Sequence, residues 1–260
     1  MPFQHKMQTS RFELKYIIDD RCADAIRDFL HSHLEPDEHA KPENDYTYHI
    51  CSLYVDNPAL DLYGQTAQGM KNRFKLRIRF YDDNPQSPVF LEIKRRITDV
   101  IRKERAAVTR EGALQVLAGG FPNPSILAGE NGSRKSGVAL QNFCSLTSSI
   151  GGRGCIYVSY NRRAYVSPDS DQVRVTFDTD LYGTAYEQGS ELVRPMLGAK
   201  PKLGGTILEL KFTDRFPGWM RDLAQAFNLQ RTSVPKYCLC IERMGLKPDE
   251  WRGAELGRLL

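Results

Sequence analysis

The chain has 260 residues, 41% of them hydrophobic and 26% charged. That is enough apolar material for one large β-rich domain or two smaller ones, and too much for a disordered or low-complexity chain. A net charge of +4 and a pI of about 8.7 exclude the bulk basicity of a protein that coats nucleic acid regardless of sequence, so no nucleic-acid partner is expected.

Arg11 to Ile18 alternates as a strand, and Asp19-Asp20 offers an N-cap to a helix running to about Leu34, with Ala25, Ile26, Phe29 and Leu30 as its apolar stripe. Glu35 to Asp45 is polar and contains prolines, hence a loop, and Tyr46 to Val55 is a strand rich in aromatic and β-branched residues. Asp56-Asn57-Pro58 ends it and opens a short helix through Tyr63. Asn72 to Tyr81 is the clearest strand, with Phe74, Leu76, Ile78 and Phe80 on one face and Lys75, Arg77, Arg79 and Tyr81 on the other. Val89 to Ile97 and Val100 to Val108 continue it as an antiparallel meander.

Between about residues 110 and 154 the pattern becomes mainly helical, with helices at Glu111 to Leu117 and Val138 to Ser149 around a Gly/Pro/Asn/Ser-rich loop, as in an insertion between two β halves. Strands resume at Cys155 to Ala164, Val173 to Asp178, Thr206 to Phe212 and Tyr237 to Arg243, with an amphipathic helix carrying Trp219, Leu223 and Phe227 before the last. The tail from Lys247 to Leu260 suits a docking helix or a frayed terminus. Met1 to Ser10 has no apolar h-region, and no later run approaches the roughly 20 apolar residues that cross a bilayer, so a soluble, cytoplasmic protein with no membrane span is expected.

Charge placement is the informative signal. Glu13-Leu14-Lys15, Lys75-Leu76-Arg77-Ile78-Arg79, Glu92-Ile93-Lys94, Lys103-Glu104-Arg105 and Glu209-Leu210-Lys211 put charges two apart, hence on one strand face. Any one such strand, taken alone, reads better as half-buried with its charges in solvent. Taken together the faces repeatedly carry cations, at Lys75, Arg77, Arg79, Lys94, Lys103, Arg105 and Arg174. Like charges on neighbouring strands repel unless water, counter-ions or an anionic ligand offsets them. A closed sheet with these faces inward would form a channel for a chain of phosphates, where Arg and Lys serve phosphoryl transfer and Glu209 holds Mg²⁺ or Mn²⁺ together with the phosphates.

Other chemistry is not legible. Cys22, Cys51, Cys144, Cys155, Cys238 and Cys240 lack ligand spacing and suit buried reduced thiols, and the five histidines form no zinc signature. Gly129 to Ser136 falls short of a P-loop because Arg134 stands where the second glycine belongs.

In order along the chain stand Arg11-Phe-Glu-Leu-Lys-Tyr16, Ser52-Leu-Tyr-Val-Asp-Asn57, Lys75-Leu-Arg-Ile-Arg-Phe-Tyr81, Phe90-Leu-Glu-Ile-Lys94, Tyr160-Asn-Arg-Arg-Ala-Tyr165, Val173-Arg-Val-Thr-Phe-Asp-Thr-Asp-Leu181, Leu208-Glu-Leu-Lys-Phe212 and Ser233-Val-Pro-Lys-Tyr237. From Arg11 to about Glu242 this series resembles the VTC (vacuolar transporter chaperone) catalytic domain of polyphosphate polymerases, within the triphosphate tunnel metalloenzyme (CYTH-like) superfamily. The resemblance implies an α+β fold, an antiparallel β-barrel with helices packed outside, as a single domain over residues 1–260.

It implies Lys15, Arg77, Arg79, Lys94, Arg162, Arg174, Lys211 and Lys236 as catalytic phosphate ligands and Glu209 as the metal ligand, with Lys75, Lys103 and Arg105 as further substrate-binding residues. The implied activity is transfer of the terminal phosphate of ATP to polyphosphate, with a membrane-protein partner as recipient of the product. The resemblance does not extend to the regulatory domain and membrane segments of larger family members. The short Glu13-Leu14-Lys15 motif, against the ExExK of superfamily triphosphatases, points to the polymerase branch. The alternatives are a tunnel triphosphatase acting on inorganic or nucleoside triphosphate and a non-catalytic polyphosphate-binding module.

Overall fold

The computed structural model describes residues 11–98, 100–129, 134–168 and 170–248. Its elements in chain order are β1 (Arg11–Ile18), α1 (Asp20–Leu30), β2 (Glu35–Pro36), β3 (Thr47–Asp56), α2 (Asp61–Ala67), β4 (Arg73–Phe80), β5 (Val89–Ile97), β6 (Val100–Val108), α3 (Arg110–Leu117), α4 (Arg134–Ser149), β7 (Arg153–Ser167), β8 (Ser170–Ala185), β9 (Thr206–Thr213), α5 (Gly218–Ala226) and α6 (Lys236–Met244). The fold is α+β, and its antiparallel sheet has the hydrogen-bonding order β1-β9-β8-β7-β3-β4-β5-β6, with β2 on β7. Among the described strands this is an ordered path rather than a hydrogen-bonded ring.

The chain divides into two compact units, Met1–Tyr48, Arg162–Thr179 and Leu203–Val234 in the first and His49–Asn161, Asp180–Lys202 and Pro235–Leu260 in the second. In the first unit, period-2 alternation sends Tyr16 and Ile18 of β1, Leu208, Leu210 and Phe212 of β9 and Val175 and Phe177 of β8 to one face. That face packs on Ala23, Ile26 and Leu30 of α1 and Met220 and Leu223 of α5. Complete burial of Ile26 and Leu30 contributes about 1.5–3 kcal/mol each. Asp19 caps α1, accepting from the Cys22 amide at 2.8 Å.

In the second unit Leu76, Ile78 and Phe80 of β4, Val89, Leu91 and Ile93 of β5 and Ala106 and Val108 of β6 form the apolar face, covered by Ala113 and Val116 of α3 and Ala139, Leu140 and Phe143 of α4. Thr109 caps α3 through the Gly112 amide at 3.0 Å. In the first unit α1 and α5, and in the second α3 and α4, thus cover the apolar face of these strands, and Arg77, Glu92, Lys211 and Glu209 lie on the other.

Several expectations about elements are corrected. Tyr237 to Arg243 is not a strand but lies within α6, because Tyr237, Cys238, Cys240 and Ile241 bury one helical face and Gly245 ends it in the left-handed conformation at φ 68°. The helix after β3 begins at Asp61 rather than at Asn57, and α1 ends at Leu30, four residues before Leu34. For the former, the Asp56 carboxylate reaches forward to accept from the Leu62 and Tyr63 amides at 3.0 and 2.9 Å. The loop from Glu35 carries the two-residue strand β2, and β8 extends well past Asp178. The six cysteines are free thiols, and all but Cys22 are buried. No described helix is long and apolar enough to cross a membrane. The middle of the Gly129–Ser136 stretch, Met1 to Ser10 and the tail from Asp249 lie outside the described residues.

Candidate functional site

The candidate residues fall into two clusters, one in each unit. In the second unit, antiparallel register stacks charges in rows across three strands: Arg77, Glu92 and Arg105 stand opposite one another, as do Lys75, Lys94 and Lys103. Directly opposed side chains on one face lie about 4.5–5.5 Å apart at Cβ, so this face concentrates cations. Glu92 is the hub. Only 1% exposed, its Oε2 accepts from Arg77 Nε at 2.8 Å and lies 2.6 Å from Arg77 Nη2 and 3.9 Å from Arg79 Nε. Its Oε1 lies 2.6 Å from Lys103 Nζ and 3.4 Å from Arg105 Nε.

Burial alone would raise the Glu92 pKa, but Arg77, Arg79 and Lys103 outweigh it and hold the carboxyl well below the usual range. Burial draws the Lys103 ammonium down to about 8, with Glu92 opposing the shift; its side chain keeps 45% of its exposure, and solvent moderates the desolvation.

Neutral groups orient the cations. Arg77 Nη1 donates to Tyr54 OH at 3.3 Å, Arg79 donates to Ser52 Oγ and Tyr160 OH, both at 3.3 Å, and Arg105 donates to Tyr81 OH at 3.2 Å. The Arg105 guanidinium also sits over the Phe90 ring, 3.6 Å from its centroid. Lys236, the first residue of α6 and not a strand residue, is buried with Nζ 5.0 Å from the Tyr160 ring centroid. The start of α6 is fixed by Tyr237, whose OH donates to Asp56 at 2.8 Å and whose ring stacks on Tyr54 at 4.6 Å.

In the first unit the corresponding rows are Arg174, Lys211 and Glu13, then Thr176, Glu209 and Lys15, across β8, β9 and β1. Here each cation has a carboxylate of its own or a near share of one. Arg162 makes a bidentate pair with buried Asp178 at 2.6 and 2.7 Å, and its Nη2 lies 3.5 Å from Glu209. Lys211 donates to Glu209 at 2.7 Å. Lys15 lies 3.0 Å from Glu13 and 3.5 Å from Glu209. Arg174 pairs with Asp37 and donates to Tyr48 OH at 3.0 Å. Burial draws Lys211 down to about 8, against the opposing pull of Glu209 and Glu13. Thr176, opposite Glu209 and fully buried, has a hydroxyl oxygen without a hydrogen-bond partner.

Lys15, Arg162, Arg174, Glu209 and Lys211 therefore come together in one cluster, and Lys75, Arg77, Arg79, Lys94, Lys103 and Arg105 share the strand face of the other, in the unit that also holds Lys236. Sequence reasoning missed the groups that hold them: Glu92, Asp178, Asp37, Tyr48, Tyr54 and Tyr160. Glu92 had a legible signal, because the meander register places it between two arginines.

Residues 10–244 match the family model described as the VTC domain. Comparison with curated proteins gives no match. Among solved structures, a Bacillus halodurans protein titled a "putative adenylate cyclase" is 12% identical, covers 86% of this chain and 93% of its own, and has a TM-score of 0.47. An odorant binding protein, OBP1, is 8% identical over 71% of this chain and 82% of its own, with a TM-score of 0.19. Neither structural likeness is close enough to carry an argument, whereas the family model spans both charge clusters, from β1 through α6. The chain belongs to the VTC domain family.

Proposed function

We propose that the protein is a divalent-metal-dependent polyphosphate polymerase that transfers the terminal phosphate of ATP to a growing polyphosphate chain. The observation that carries this is the cation-rich face of β4, β5 and β6 in a member of the VTC domain family, where Arg77, Arg79, Lys103 and Arg105 surround a single carboxylate. Phosphoryl transfer asks the protein for positioning and charge neutralisation more than for a nucleophile. An oxygen of the polyphosphate end attacks the terminal phosphorus of ATP, the bond from that phosphorus to the bridging oxygen breaks, and ADP leaves with the electron pair. Arg77 and Arg79 are suited to clamp phosphate oxygens, and the lysines act as point charges.

Glu209 and Glu13 offer hard oxygen donors in the first unit's cluster, while no group of three or more His, Cys, Asp or Glu side chains among the described residues could hold a metal ion. Such a donor set fits Mg²⁺ or Mn²⁺, which accepts one or two protein carboxylates and completes its shell with substrate phosphates and water. Glu209 would hold the ion, with Glu13 beside it. When bound, the ion would neutralise charge on phosphate oxygens.

The test is incubation of the purified protein with ATP and Mn²⁺ or Mg²⁺, resolving ADP, orthophosphate and polyphosphate over time. Polyphosphate appearing with ADP is expected. Orthophosphate without polymer would replace the polymerase by a triphosphatase, and tight polyphosphate binding without turnover would leave a binding module.

A further inference from the structure

Among the buried ionisable groups, Glu92 has the most unusual surroundings, and neither the phosphate-ligand role nor the metal role accounts for it. It is 1% exposed and one carboxylate serves four cations, Arg77, Arg79, Lys103 and Arg105. The two oxygens are not equivalent. Oε2 accepts a hydrogen bond from Arg77 at 2.8 Å, whereas Oε1 faces Lys103 Nζ at 2.6 Å and Arg105 Nε at 3.4 Å. The cations on Oε1 are also the outward ones, with the Lys103 and Arg105 side chains 45% and 37% exposed against 17% and 9% for Arg77 and Arg79.

We propose that Glu92 is a built-in counter-anion of the polyphosphate site, a positioning residue that competes with substrate phosphates for Lys103 and Arg105 and so limits how tightly the polymer is held. This rests on the polyphosphate reading above. A carboxylate oxygen and a phosphate oxygen ask the same of an ammonium or guanidinium group. The negative charge of Glu92 offsets part of the attraction that Lys103 and Arg105 exert on a phosphate, which weakens the grip. Tight uniform binding of a polymer slows its advance and release, so a weaker grip favours turnover.

The test compares the wild type with Glu92→Gln in calorimetric titration by inorganic tripolyphosphate, and in steady-state kinetics with ATP. Removing one nearby negative charge is expected to tighten tripolyphosphate binding about tenfold, to lower KM and to lower kcat. A residue that only props up the fold would give weaker or unchanged binding instead, and that result overturns the proposal. Because Glu92→Gln leaves four cations crowded, the same change is also made on an Arg105→Gln background, where it is again expected to tighten binding several-fold relative to Arg105→Gln alone. Equal or weaker binding there overturns the proposal even if the single variant does not fold. Failure of the wild type itself to bind tripolyphosphate would instead overturn the polyphosphate reading and this proposal with it.

Discussion

The two charge clusters are built from the same motif and solve opposite electrostatic problems. On β8, β9 and β1, the cations Lys15, Arg162, Arg174 and Lys211 meet four carboxylates, Glu13, Asp37, Asp178 and Glu209. On β4, β5 and β6, Arg77, Arg79, Lys103 and Arg105 share one carboxylate among the described residues, Glu92. A balanced cluster holds its side chains in fixed geometry, as a catalytic centre requires. An unbalanced one retains a net field for anions, as a binding surface requires. The number of cations on a strand face therefore does not set its net charge; the carboxylates beside them do.

Breaking the balanced cluster at its carboxylate is expected to have the largest effect. Glu209→Gln should lower turnover by about 10²–10³-fold, as the loss of one key electrostatic stabiliser does, while circular dichroism and thermal melting show an intact fold. Next is Asp178, whose removal leaves the Arg162 guanidinium buried without its bidentate partner. Asp178→Asn is expected to cost about 3–5 kcal/mol in a denaturant titration. In the unbalanced cluster, Arg77→Ala should weaken tripolyphosphate binding about tenfold and make it less sensitive to salt, with kcat at saturating substrate changing less than Kd.

The smallest effect expected is one of pH. Lys103 in the folded protein titrates near 8, below its ordinary 10.5, so its charge is present below that pH and lost above it. Tripolyphosphate binding should weaken a few-fold between pH 7 and pH 9, and binding near pH 8 should take up protons, measurable by calorimetry in buffers of different ionisation enthalpy. Lys103→Arg should flatten the profile. Folding stability responds too: an unfolded Lys103 keeps its proton to higher pH, so its burden on stability is present below about 8 and fades as the pH rises towards 10.5.

Much of this was legible in the chain. Strands β5 and β6 fall where alternation places them, since Leu91 and Ile93 must be buried and a one-residue slip would expose them. The same alternation put Lys75, Arg77 and Arg79 on one face. What was not legible depends on long-range partners. The expected strand over Tyr237 to Arg243 is a helix, because Tyr237 and Ile241 stand four apart on its buried face. The carboxylates that pair the cations come from distant stretches, Asp37 with Arg174 and Asp178 with Arg162, and no local spacing announces them. That is why repulsion between neighbouring cations appeared to demand a ligand everywhere, when in the first unit the protein supplies its own counter-charges.

The most direct test of this division is to measure tripolyphosphate Kd and ATP turnover on the same preparations of Glu209→Gln and Arg77→Ala. Glu209→Gln is expected to lose turnover while its Kd stays within about threefold of wild type, and Arg77→Ala to raise Kd with the smaller loss in kcat. Parallel loss of binding and turnover in both variants would show that the two clusters do not divide the work.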